Sequence, residues 1–345
     1  MGASPRQSGD DEQLAPPPAK PAPRPPERRP GSLRRTSSID MWWPDGIGTD
    51  MHMAGRARDL LTDDDGEPRV LTEDSMTAVV DASRVISTIS AVPDRPTIGN
   101  LVGARGGGGL RRVIAEAMPD EAAQVTPLSL LLDDIAGASL IGGFAWLRHT
   151  EDFRHPPKGW SVVIEPPPPR QMIGICSGFR PGSATLNPDG TNIIGRHNVA
   201  AVPPLTDPDD PIGWHQLAPL PDVAMRRARR IDIWRDGDRL MIEAMFRDSC
   251  RERDLTETAV HEYRIEAEAD LSNGVLTRVY AEPRVLPYAE CPAAAPNAAW
   301  VEGIALGALR DQVLTVLSGP DCCTHLNDAL RALADVPALA VMAGI

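Results

Sequence analysis

An ordered internal repeat constrains this chain more than any other feature. The series Arg34-Arg35, Ile39-Asp40-Met41-Trp42 and Asp45-Gly46 returns as Arg226-Arg227, Ile231-Asp232-Ile233-Trp234 and Asp236-Gly237. Further anchors keep the same order. Arg58-Asp59 is answered by Arg247-Asp248, Asp81 with Val85-Ile86 by Asp270 with Val275-Leu276, and Ala91-x-Pro93 by Ala281-x-Pro283. Leu110-Arg111 then matches Leu309-Arg310, and Thr126-x-Leu128 matches Thr324-x-Leu326. Shared composition gives one or two such matches, not a series over roughly a hundred residues per copy.

The second copy has the clearer pattern. Residues 230–235 and 240–246 alternate as strands joined through Asp236-Gly237-Asp238, and 263–269 and 275–282 form another pair around Ser272-Asn273-Gly274. Beyond Pro283 the period changes, and 293–301, 306–317 and 324–333 read as helices punctuated by Gly303 and Gly319. The first copy follows the same order, ending in helical runs at 110–118 and 128–140. The expected fold class is α+β: a tandem duplication of an antiparallel-sheet-plus-helices unit, with a Pro-rich insert between the copies. The expected divisions are a disordered Pro/Arg-rich arm (1–32), a first copy (33–142), an insert or linker (143–224) and a second copy (225–345).

Within the arm, the runs at 16–21 and 24–30 cannot build a core and read as a ligand for a proline-binding module or as a solubilising tail. Arg34-Arg35-Thr36-Ser37-Ser38 reads as the start of a strand rather than a phosphorylation site. The insert has strand-like pieces at 160–164 and 172–175, Pro166-Pro167-Pro168-Pro169 and an acidic loop at 207–210. It is expected to pack across both copies. A length of 345 residues suffices for two cores, while 35 prolines and 4% aromatics indicate a loop-rich chain. The net charge of −13 argues against nucleic acid or an anionic membrane as a whole-molecule partner. Apolar runs such as 336–345 fall short of a membrane span, and a small-molecule or protein partner stays open. Five scattered cysteines make no disulfide framework and suggest a reducing, cytoplasmic setting.

Chemistry concentrates at Asp321-Cys322-Cys323-Thr324-His325. A thiol in the first turn of a helix meets unpaired N–H groups and the positive dipole end, which favours thiolate, and Asp321 is a candidate cap. Cys291 stands at another expected helix start. If both helix beginnings open at one sheet edge, Cys291, Cys323 and His325 converge as ligands suited to zinc or an Fe–S cluster. As a catalytic pair, Cys323 would be the nucleophile and His325 its proton partner. A third reading leaves the cysteines inert in a core. The first copy aligns Val125 with Cys323 and Pro127 with His325, and has no Cys or His from Met53 to Arg148. The fold therefore does not require these side chains.

Other clusters carry weaker signals. Cys176 on a tight turn, with His197 or His215 as base, competes with a buried small residue. The Gly-rich run 103–109 lacks the Lys-Ser/Thr ending of a phosphate loop and reads as a flexible loop. His261-Glu262 lies in a strand without a second His at helical spacing, which excludes a zincin protease. Arg226-Arg227-Ala228-Arg229-Arg230 reads as a solvated strand start, with a phosphate contact as the functional alternative.

The Ile-Asp-x-Trp-x-Asp-Gly opening, Pro287-Tyr288-x-x-Cys291-Pro292 and Cys323-Thr324-His325-Leu326 resemble a bacterial family known as domain of unknown function 2889. Gly174–Phe179, His197-Asn198-Val199 and Gly213-Trp214-His215 resemble its longer, actinobacterial form. That resemblance implies a relative rather than an activity. In layout alone the second copy is similar to Fe–S scaffold proteins of the NifU-like and SufE-like group, which implies a cluster, zinc or persulfide. There Cys291 matches the middle cysteine and Cys323 with His325 the C-terminal pair in inverted order. Cys250 is the nearest candidate for the first cysteine, about ten residues too early in the chain. The favoured reading is a thiol-based metal, Fe–S or sulfur-handling protein. The rivals are an enzyme acting on a small organic acid or its CoA thioester, and a structural or regulatory binding module.

Overall fold

The computed structural model describes residues 24–46, 48–149, 170–193 and 197–345. The chain is mixed α+β, and among the described residues every named strand joins one antiparallel sheet. A meander of β1 (Ser32–Trp42), β2 (Met51–Thr62), β3 (Pro68–Val80) and β4 (Ile86–Val92) is followed by α1 (Leu110–Ala117), α2 (Pro119–Gln124), α3 (Pro127–Ile141) and α4 (Phe144–His149). A short β5 (Ala200–Ala201) precedes a second meander: β6 (Ala224–Asp236), β7 (Arg239–Arg251), β8 (Glu257–Asp270) and β9 (Leu276–Val285). Then come a 3-10 helix (Cys291–Val301), α5 (Leu309–Val316), α6 (Thr324–Ala332) and α7 (Val336–Ala343). Strands-then-helices thus occurs twice, and the two meanders join where β1 pairs β6. The sheet runs β4-β3-β2-β1-β6-β7-β8, and both β9 and β5 pair with β8.

The expected hairpin turns form where positive φ is required: Gly237 (φ 66°) between β6 and β7, and Gly274 (φ 68°) between β8 and β9. The expected helix at 293–301 is instead 3-10 from Cys291 to Val301; Pro296, inside it, removes a donor that an α-helix would use. Gly303 (φ 83°) follows the end of the 3-10 helix as its position suggested, whereas Gly319 (φ 56°) opens a 3-10 turn, Gly319–Asp321, three residues after α5 ends.

β1 and β6 are buried on both faces. Helices cover one face, with separate apolar clusters under each meander. The other face is covered at its centre by residues around Leu205, Trp214 and Leu217, which pack on Ala228 and Met245. His215 reaches between the strands there, its ring nitrogens 2.9 Å from Thr36 Oγ1 and 2.8 Å from Ser38 Oγ. The 172–175 piece is turn rather than strand; only Gln171 bridges to Thr191. Residues 160–164 and 166–169, and most of the arm, lie outside the described residues.

Arg226, Arg227, Arg229 and Arg230 are buried, not solvated. Across the β1–β6 seam Arg34 pairs Asp232 at 2.5 Å and Arg226 pairs Asp40 at 2.7 Å, two reciprocal bridges at mirrored register positions. Arg229 grips Asp134 of α3 at 2.6 Å, and Arg230 grips Asp232 at 2.6 Å. These carboxylates occupy the guanidinium groups that the sequence left open for phosphate. The helical stretch Pro127–Trp146 is long and apolar enough to cross a membrane, unlike the runs singled out from the sequence, but 61% of its window is buried. Its α3 portion packs on β1, β2 and β3 as a core helix does.

Candidate functional site

Register aligns three side chains in a row on the helix-covered face. Arg227 of β6 stands opposite Asp248 of β7, and Asp248 stands opposite His261 of β8. Arg227 forks onto both Asp248 oxygens at 2.9 and 3.2 Å, and His261 Nδ1 lies 3.3 Å from Asp248 Oδ2. His325, from the first turn of α6, lays its ring on His261 with centroids 3.4 Å apart and planes 20° apart. The donor atoms of Asp248, His261 and His325 all lie within 4.8 Å of one another.

The protonation states suit a cation. Burial alone would raise the Asp248 carboxyl, but Arg227 and His261 outweigh it and hold it below the usual carboxylate range. Burial lowers His261 and, together with His261, lowers His325 well below the ordinary imidazole value. The set at neutral pH is one carboxylate and two uncharged imidazoles, a standard transition-ion ligand set. The same strand order in the first meander gives Arg35–Asp59–Thr72. Arg35 forks onto Asp59 at 2.7 Å and Thr72 Oγ1 donates to it at 2.9 Å. The Arg–Asp pair is framework in both rows; the imidazole is confined to the second.

The thiols gather next door. Both expected helix beginnings lie side by side, clamped by Ser177. Its N–H donates to Cys322 O and its hydroxyl to Glu290 O, each at 2.7 Å. The Gly174–Phe179 loop is thereby seated on the second unit. A Cβ on Gly178 would meet Cys291 Sγ at 2.7 Å and Tyr288 Cδ2 at 3.3 Å. Cys176, Cys291 and Cys323 are close enough to perturb one another and the fully buried Tyr263, whose hydroxyl has no well-formed hydrogen bond. Tyr288 Oη, 3.0 Å from His197 Nε2, extends this wall toward His261.

The sequence-predicted ligands therefore divide. Cys291 and Cys323 share the thiol cluster, to which Cys176 adds a third sulfur. His325 joins a ligand group, but with Asp248 and His261. Among the described residues that is the group with donors mutually within 4.8 Å, and Cys291 and Cys323 are outside it. Cys323 itself, not Asp321, is the N-cap of α6. Its expected thiolate character is reversed: burial raises the thiol, and Tyr263 O–H and the N–H groups of Leu326 and His325 offset this only in part. Cys250 belongs to the other apolar cluster, under the first meander, so it is not the missing scaffold cysteine. His215 is on the opposite sheet face from Cys176, held by Thr36 and Ser38. Asp248 and His261 carried no local signal, because strand pairing and not sequence spacing brings them to His325.

Residues 225–339 match the family described as protein of unknown function DUF2889. This segment belongs to that family. Its span holds Asp248, His261, His325, Cys291 and Cys323, whereas Cys176 and His197 precede it. No curated protein and no solved structure matches the chain.

Proposed function

We propose that the DUF2889 segment is a metal centre in which Asp248, His261 and His325 hold one divalent transition ion. The observation that carries this reading is the mutual approach of the three donors within 4.8 Å. Three protein ligands leave coordination positions for water or substrate, the arrangement of a catalytic rather than a structural site. Bound there, such an ion would supply Lewis-acid chemistry. Arg227 fixes the Asp248 carboxylate from behind, as outer partners of metal ligands do. The reading makes the chain an enzyme and keeps the metal of the sequence analysis while exchanging two of its ligands.

Titration of chelator-stripped full-length protein with Co²⁺, followed by its visible bands, tests this. A single equivalent is expected, with His261→Ala plus His325→Ala weakening binding at least about a hundredfold and Cys291→Ala plus Cys323→Ala leaving it intact. Failure of the native chain to bind Co²⁺ or Zn²⁺ would overturn the reading.

A second reading keeps the thiols in charge, with Cys176, Cys291 and Cys323 as soft ligands for zinc or a cluster, or as sulfur carriers. The Ser177 clamp favours it, since it unites cysteines from distant parts of the chain. Retained binding in the histidine double variant and loss in the cysteine one would select it. We also read the two strands-then-helices units as copies of one ancestor, from the reciprocal Arg34–Asp232 and Arg226–Asp40 bridges. None of the five cysteines is in a disulfide, which supports the cytoplasm as the proposed compartment.

A further inference from the structure

Beside His325 a cavity of about 330 Å³ opens between the first unit's Gly-rich loop and α3 and the second unit's α6. Its wall carries Arg84, Arg111, Arg227 and Arg331 against Asp133 and Asp328, a positive excess within a chain of net charge −13. Arg227 is committed to carboxylates, and Arg111 forks onto Asp133 with Nε and Nη2. The remaining Arg111 Nη1 is buried with no partner. Asn327, only 2% exposed, also lines the cavity and has an unpartnered Oδ1 while its amide donates to Leu317 O. Among the described residues no carboxylate comes within 4.0 Å of Arg84. Burial and the like charges of Arg105 and Arg170 lower its affinity for its proton. Arg84, with no carboxylate that close among the described residues, stands on the same wall as the buried Arg111 N–H that lacks an acceptor, and together they describe an oxyanion-binding wall.

We propose that this cavity binds a small organic anion, through a carboxylate or phosphate group, with Arg84 and Arg111 as its recognition residues. Asn327 Oδ1 accepts a hydroxyl or N–H of the same molecule. The volume suits a metabolite-sized ligand. Gly107 and Gly108, on the wall, let the backbone approach it closely. His325 lines the same cavity, so the anion lies alongside the ion-binding group. The proposal names the substrate class of the centre proposed above and rests on that reading only for the ion's position; anion binding itself requires no metal.

Calorimetry on metal-stripped, full-length protein with inorganic phosphate, succinate and coenzyme A separates the two ideas. At least one probe should bind at about millimolar affinity or better. Arg84→Gln should weaken it about tenfold, and Arg105→Gln, off the cavity wall, should weaken it far less. Succinate alone would identify a carboxylate site, phosphate alone a phosphate site, and coenzyme A with phosphate a phosphate ester. The proposal fails if no probe binds at about 10 mM, or if Arg84→Gln binds as tightly as the native chain. Because Arg84 is half-buried at a turn, an unchanged melting temperature in that variant certifies that lost binding is not lost folding. Co²⁺ binding is measured apart, so either hypothesis can fall alone.

Discussion

His215 shows how a buried imidazole makes stability depend on pH. Burial and the charges of Arg58, Arg226 and Arg56 push its pKa down to about 3. The unfolded chain takes up a proton near the ordinary imidazole pKa, but the folded one does not until about pH 3. Stability is therefore complete above the ordinary value and drains as pH falls toward 3, by a few kcal/mol in all. Urea midpoints through that window should fall steeply for the native chain and less for His215→Gln. The thiols make a second expectation. Cys176 is partly exposed and the other four are buried, so iodoacetamide near about pH 8 should label Cys176 first and the rest only in denaturant. At this scale the sequence was only partly legible. Cys323 and His325 stood out because they adjoin a helix start. The raised Cys323 thiol and the ligand role proposed for His261 depend on neighbours that packing alone supplies.

At the scale of elements the reading went further, since strands, turns and helix starts are written in local period and in glycine placement. The juxtaposition of Cys291 and Cys323 followed from adjacent helix beginnings. What local pattern could not reveal was the closeness of α3 to β6. A Cβ on Gly137 would come within 1.7 Å of Arg227 Nη1 and 2.6 Å of its Cζ. Gly137→Ala must then shift either the helix or the guanidinium that orients Asp248, destabilising the fold by about 1–3 kcal/mol. Thermal unfolding should detect this, and Co²⁺ affinity should drop in the same variant although no ligand is touched. Gly178→Ala is expected to lift the Gly174–Phe179 loop from Cys291, read as faster alkylation of that thiol.

For the whole molecule, the single sheet alters what the repeat means. The sequence suggests two neighbouring bodies; the chain makes one sheet through the β1–β6 seam, and no local signal announces which edge strand meets which. The seam's register is held by buried bridges, so Asp232→Asn strips Arg34 of its carboxylate and leaves Arg230 with Glu243 alone, and should lower stability by about 3–5 kcal/mol, measured by denaturant titration. Residues 225–345 expressed alone would bare the β6 edge. They should self-associate there, which light scattering would register. Arg227 touches Asp134 of α3 at 3.5 Å while it steers Asp248, so the carboxylate proposed as a ligand is aimed by a helix from the opposite half. If the proposed centre holds an ion, its affinity reports on correct assembly: a chain whose halves have docked out of register would refuse that cargo, and loading would reward only the properly closed molecule.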